Sequence, residues 1–184
     1  MTRRTFGRVV SLILLFNLCP ALDRAAEGPA GDAGVPSLVV LVRHAEKADE
    51  PRSDPPLTKT GKKRARALAF ALKDAGVTAI ITSDRLRTRA TAEPLAEARG
   101  LTPKVVDLGD GGVAAHVAAV AAEVRRRAGG VVVVVGHSDT IPAIIAALGG
   151  PRLPDIHGTE FGHLFLLVPG PGGARLVQAS YGAP

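Results

Sequence analysis

The 184-residue chain has one cysteine, one methionine, one tyrosine, no tryptophan and five phenylalanines. Its single cysteine, Cys19, falls in an apolar N-terminal stretch, so the rest of the chain holds neither a disulfide framework nor a thiol nucleophile. Aromatics at 3 % leave few surfaces for stacking nucleic-acid bases, and Val, Leu, Ile and Ala must build the core. Long hydrophobic runs are also scarce. The longest N-terminal one, Val9 to Leu18, is too short to anchor comfortably in a bilayer. Charge of one sign does not dominate either: setting aside Arg3, Arg4 and Arg8, 20 basic residues face 17 acidic ones, a balance of +3. Basic residues interspersed with acidic ones give no nucleic-acid stripe, although a local positive pocket is compatible with them.

Residues 1–26 have the layout of a secretory signal: a basic start, an apolar run and small residues after it. Thr2-Arg3-Arg4-Thr5-Phe6 also resembles a twin-arginine export signal, so both export routes stay open. Cleavage after Ala21 suits the small residues there; Cys19 offers a lipidation site, but Leu18 before it fits that role poorly. The expectation is an exported chain with no membrane span once the leader is removed. Residues 27–36, rich in Gly, Ala and Pro, form a flexible linker, and residues 37–184 are long enough for one domain with a substantial core.

Within that domain, apolar runs alternate with helical periodicity. Strands are expected at 37–42, 77–82, 103–106 and 131–135, and a terminal hairpin at 164–168 and 175–179. Helices are expected at 59–75 with Thr58 as N-cap, at 84–99 with a break at Pro94, at 113–128 and at 140–148. Loops 48–56 and 149–162 lie between them. This alternation predicts an α/β fold, a three-layer α/β/α sandwich around a mostly parallel sheet.

Two of the apolar runs end in the same way. Leu38–Val42 is followed by Arg43-His44, and Val131–Val135 by Gly136-His137. In an open α/β sheet the carboxyl ends of the strands are where ligands bind, so two histidines and an arginine converge there. A third strand end leads into Ser83-Asp84-Arg85-Leu86-Arg87, where a helix start presents free N–H groups to an anion. Arg85 and Arg89 share a helix face and Arg87 points away from them, able to reach back to the sheet edge. Cations around histidines suit phosphoryl chemistry.

Each residue also has a plainer reading. Gly136-His137-Ser138-Asp139-Thr140 lacks the final glycine of a hydrolase nucleophile elbow, which leaves Ser138 as a helix N-cap with its N–H near a bound phosphate. Glu46 and Lys47 are expected at the pocket mouth as substrate-binding groups, with an exposed ion pair as the alternative. His116 is structural or exposed, His157 and His163 are loop residues at the rim, and Arg64, Arg66 and Arg125–Arg127 form solvated helix faces. No histidine spacing matches a usual metal-ligand pattern.

Taken together, Val42-Arg43-His44-Ala45-Glu46, the spaced Ser83, Arg87, Thr91 and Ala92, Gly136-His137-Ser138 and Leu57-Thr58 with Gly61 resemble the four motifs of the histidine phosphatase (phosphoglycerate mutase-like) superfamily. The resemblance covers about residues 37–168 and implies that His44 takes phosphorus from the substrate as a phosphohistidine. It further implies that Arg43, Arg87 and His137 surround the phosphoryl oxygens, with no metal or other cofactor needed. Many members carry an acid after the third strand. Asp107 and Asp110 are the two candidates here and rank equally, while Leu108–Val113 resembles the SixA-like branch, which acts without that acid. The expected activity is hydrolysis of a phosphomonoester or phosphoramidate, from a small molecule or a phosphorylated envelope component. A phospholigand-binding protein with little or no turnover is the alternative.

Overall fold

The computed structural model describes residues 36–109 and 111–183. The expected leader, its cleavage and lipidation sites, nearly all of the linker and Asp110 lie outside the described residues. The described elements are β1 (Leu38–Arg43), α1 (Lys59–Ala71), β2 (Val77–Ser83), α2 (Leu86–Arg99), β3 (Lys104–Val106), α3 (Gly112–Arg125), β4 (Val131–Gly136), α4 (Thr140–Ala147), β5 (His163–Val168) and β6 (Arg175–Ser180). The strands form one sheet in the order β3-β2-β4-β1-β5-β6. β1, β2, β3 and β4 run parallel, and β5 and β6 close one edge as an antiparallel hairpin.

Alternation of side chains along each strand explains why the apolar runs are continuous. Val39, Leu41, Val132, Val134 and Ile81 face one side, against Val120 and Val124 of α3 and Ile141, Ile144 and Ile145 of α4. Val40, Val42, Val133, Val135 and Ile80 face the other, against Leu68 of α1 and Ala92 and Leu95 of α2. Two cores therefore sandwich the sheet. Each fully buried aliphatic side chain contributes about 1.5–3 kcal/mol, which is how so aromatic-poor a chain is held together.

Thr58 caps α1 as expected, its hydroxyl accepting from Gly61 N at 3.0 Å. Gly61 is required for a different reason: a β-carbon there would run into the carbonyl oxygen of Glu46, so α1 packs backbone to backbone on the chain leaving β1.

Three helix expectations need correction. α1 stops at Ala71 rather than Ala75, because Leu72 leaves helical geometry (φ −105, ψ 9) before the left-handed Gly76. α2 begins at Leu86 rather than Asp84, since Arg85 is extended (φ −70, ψ 136), and Pro94 does not break it. Thr91, Ala92, Leu95 and Ala96 on either side of Pro94 are buried, and their packing outweighs the missing hydrogen bond. α3 ends at Arg125 rather than Ala128, ahead of Gly129 at φ +67.

Candidate active site

Strand register brings the two histidines together. Arg43 pairs with Gly136 across β1 and β4, so the residues that follow, His44 and His137, leave the sheet side by side. His44 N donates to Gly136 O at 2.9 Å, and the imidazole centroids lie 5.5 Å apart. On the far side of β4, Thr82 is level with Val135, which puts Ser83 beside Gly136. Adjacent parallel strands thus deliver Arg43-His44, His137 and Ser83 to one edge.

His44 is buried and its orientation is fixed. Its Nδ1 lies 2.8 Å from the carbonyl of Ala45, a geometry that requires the proton on Nδ1 and leaves the lone pair on Nε2. Ala45 is itself held by its N–H, which donates to Thr91 Oγ1 at 2.9 Å, while the Thr91 hydroxyl donates to the carbonyl of Arg87 at 2.7 Å. The threonine of the Ser83–Arg87–Thr91 spacing therefore locks the segment that carries His44 to α2.

His137 has the complementary arrangement. Arg87, the second residue of α2, reaches back so that Nη2 is 3.4 Å from His137 Nδ1. A guanidinium only donates, so Nδ1 accepts and Nε2 carries the hydrogen, which it gives to Ser83 Oγ at 3.0 Å. Ser83 passes its hydrogen to Thr88 Oγ1 at 2.9 Å, and Thr88 donates to the carbonyl of Arg85 at 2.8 Å. The result is a directed chain from Arg87 through His137 into the start of α2. Replacing Ser83 by alanine removes the acceptor for Nε2–H, and about tenfold of kcat/KM is expected to go with it. Kinetics alongside a thermal melt would check this, since a purely structural loss would lower the melting temperature without changing kcat/KM at a temperature where the variant is folded.

Both imidazoles titrate low. Burial pushes His44 down to about 3, against the opposing bond from Ala45 and with help from the His137, Arg87 and Arg43 charges. Burial and then Arg87 push His137 down to about 4. Both are therefore neutral at neutral pH, as a nucleophile requires. In the unfolded chain they protonate near 6.5, so below that pH the unfolded state binds more protons and stability falls as pH falls. Acidification from about pH 6.5 to 5 should cost on the order of 1–2 kcal/mol per histidine. Urea midpoints at the two pH values, compared with those of His44→Asn, would show whether one of the two contributions disappears.

Arg43 performs a structural task as well. Its Nη1 donates to the carbonyls of His157, Gly158 and Glu160 at 2.8, 3.0 and 3.0 Å, and its guanidinium carbon lies 4.2 Å from the Phe161 ring centroid. Phe161 in turn sits 6.2 Å from His44. The loop between α4 and β5 is thereby wrapped onto the site. Burial and Arg87 lower the Arg43 pKa; burial and Arg85 lower that of Arg87, opposed by the Asp54 carboxylate.

Several expected site residues are placed elsewhere. Glu46 does not pair with Lys47 at a pocket mouth; its Oε1 lies 2.8 Å from Arg64 Nη2, and this pair is largely buried because Gly61 draws α1 against Glu46. Arg64, expected to be solvated, also donates to the carbonyl of Tyr181 at 3.1 Å. Lys47 is exposed and forms a backbone bridge with Leu57. Ser138 is not the N-cap of α4. Asp139 is, accepting from Thr140 N at 2.8 Å, while Thr140 Oγ1 accepts from His137 N at 2.8 Å. The Ser138 carbonyl accepts from Ile156 N at 3.0 Å. Asp107 is exposed, its carboxylate bonded to Gly109 N at 2.9 Å and its carbonyl 3.1 Å from His116 Nδ1, which makes His116 a buried structural residue. His157 stays on the late loop, whereas His163 opens β5, its Nε2 3.3 Å from Glu160 Oε2. Among the described residues no three His, Cys, Asp or Glu side chains gather as a metal centre would need, and no helix is long and apolar enough to cross a membrane.

Sequence reasoning overlooks Thr140, Phe161 and Asp54, and reaches Ser83 and Thr91 only as parts of a motif. Phe161 and Asp54 sit in loops without periodicity, so the signal for them is weak.

The comparisons with known proteins agree with this arrangement. The sequence model of the histidine phosphatase superfamily (branch 1) matches residues 39–108, the stretch from β1 to just past β3. The probable phosphoglycerate mutase GpmB of Escherichia fergusonii is 42 % identical over 83 residues, 40 % of this chain and 39 % of that protein. The matched stretch is thus well under half of that relative's length. Among solved structures, the protein histidine phosphatase SixA complexed with tungstate superimposes with a TM-score of 0.61 at 22 % identity, covering 78 % of this chain and 96 % of that one. The putative phosphohistidine phosphatase SixA of Nakamurella multipartitia has a TM-score of 0.55 at 28 % identity, covering 79 % and 96 %. Over residues 39–108, which hold His44 and the Ser83–Arg87–Thr91 spacing, the chain matches the sequence model of the histidine phosphatase superfamily (branch 1), and its fold is similar to that of the small SixA structures.

Proposed function

We propose that the protein is an exported, metal-independent phosphatase that hydrolyses a phosphomonoester or phosphoramidate through a phosphohistidine on His44. The observation that carries this reading is the orientation of His44, whose Nδ1–H donates to Ala45 O at 2.8 Å and so leaves the Nε2 lone pair free, with the His137 ring 5.5 Å away. Nε2 attacks phosphorus in line and forms an N–P bond as the bond to the leaving group breaks. Water then attacks phosphorus, releases orthophosphate and restores the neutral imidazole. Arg87 and the part of Arg43 not engaged by the late loop offset the charge spread over the equatorial oxygens. The incoming dianion also favours a proton on His137 Nδ1, which turns an acceptor for Arg87 into a donor to phosphate.

Of the two candidate acids, Asp110 lies outside the described residues and Asp107 is bound in its own turn rather than held ready to protonate a leaving group. The resemblance of residues 108–113 to the SixA-like branch, which acts without that acid, supports substrates whose leaving group departs with little help, such as an activated ester or a phosphoramidate. A small phosphorylated molecule and a phosphorylated envelope component both fit this description, and the arginine-containing leader supports export. The short domain and the SixA-like fold favour hydrolysis over the phosphoryl relocation that the name of the GpmB relatives describes. The test is incubation of an aryl phosphate with the protein and a chelator. Steady orthophosphate release supports the phosphatase. Phosphate binding without release at any pH would instead favour a phospholigand-binding protein.

A further inference from the structure

α2 carries Arg87 into the site, yet its start has no cap of its own. The N-cap residue Arg85 makes no side-chain cap bond and the first turn holds no acidic residue. The cap comes instead from the loop between β1 and α1. Leu86 N donates to both carboxylate oxygens of Asp54, at 3.0 and 3.1 Å, from a residue 32 positions earlier in the chain. The same carboxylate stands 3.7 Å from Arg87 Nη1. That distance exceeds the roughly 2.7–2.9 Å of a tight charged hydrogen bond. Asp54 is therefore tied to backbone rather than to the guanidinium, a fixed negative charge beside a cation whose own hydrogen bond runs to His137. Asp84 and Asp139 also act on Arg87, but their carboxylates are spent on Leu108 N and Thr140 N.

We propose that Asp54 is a built-in counter-anion for Arg87 that sets how tightly the site holds phosphate. Before phosphate binds, it offsets the arginine charge and anchors the loop over α2. Once phosphate occupies the site, the anchored carboxylate opposes the dianion, so the product is held less firmly than Arg43, Arg87 and a protonated His137 alone would hold it. The inference rests on the reading that this site takes phosphate.

The test is titration of the full chain with inorganic phosphate at low ionic strength, by calorimetry, for wild type, Asp54→Asn and Asp54→Ala. Asparagine keeps an oxygen for Leu86 N–H and removes only the charge. It should bind phosphate roughly 3- to 10-fold more tightly, with the inhibition constant of phosphate in turnover falling by the same factor. The gain should shrink as salt is raised to about 0.5 M. Alanine should also bind more tightly but melt at a lower temperature, having lost the cap. Phosphate affinity of Asp54→Asn equal to or weaker than that of wild type would overturn the inference, as would a gain indifferent to salt. Should the asparagine variant fail to fold, the alanine titration decides between the same two outcomes. A wild type that binds no phosphate at millimolar concentration would defeat the phosphatase reading and this one together. A wild type that binds normally beside an unchanged variant would defeat this one alone.

Discussion

Replacing His44 by alanine should lower kcat/KM for an aryl phosphate by roughly 10⁴- to 10⁶-fold, the scale seen when a nucleophile is removed. The size follows from the geometry: among the described residues no other side chain offers a neutral, oriented lone pair at the sheet edge, because His137 gives its Nε2 hydrogen to Ser83 and its Nδ1 to Arg87. The variant should still bind orthophosphate within a few fold of wild type, since Arg43 and Arg87 remain. Turnover and phosphate calorimetry on the same preparation separate these two effects. A parallel loss of binding would mean that His44 chiefly holds the ligand. The fold should survive the substitution, because it deletes a buried imidazole whose protonation is already disfavoured.

The second large effect is on Arg43. Changing it to alanine leaves the carbonyls of His157, Gly158 and Glu160 without their shared donor and uncovers the Phe161 ring. These carbonyls belong to exposed residues, and His157 O keeps Glu160 N as a donor, so each lost bond costs about 0.5–1.5 kcal/mol. A loss of about 1.5–4 kcal/mol in urea-unfolding stability is expected, together with the loss of most activity. Arg43→Lys should recover part of the stability, since an ammonium still donates to carbonyls. It should remain roughly 10²-fold impaired in kcat/KM, because a point charge cannot bridge the loop and the phosphoryl group at once. A lysine variant with wild-type turnover would show that Arg43 serves the loop alone.

How much of this is legible in the sequence depends on range. The valine runs of β1 and β4 announce strands buried on both faces, and the residues that end them, His44 and His137, need only parallel pairing to become neighbours. Thr58 is legible as a cap because capping is local. Arg87 is legible as the odd arginine of α2, since a helical step of about 100° separates successive residues and turns it away from Arg85 and Arg89. Glu46 is misplaced by sequence reasoning because its fate depends on Gly61, further along the chain, whose missing side chain lets α1 close over it. Ser138 loses the capping position to its neighbour Asp139, a shift that sequence patterns resolve poorly. Pro94 reads as a break because propensity is local, whereas the packing that keeps α2 intact comes from the sheet beneath. Asp54 and Phe161 become visible only when the loops are placed.

A covalent phosphoryl group on one imidazole is central to the proposed chemistry, and rapid acid-free quenching of turnover on a phosphorus-labelled aryl phosphate tests it most directly. After digestion, label is expected on the peptide containing His44, lost in acid and stable in base, and absent from the His44→Ala protein. Turnover that proceeds with no label on His44 at any time point, or label that persists in the alanine variant, would contradict it.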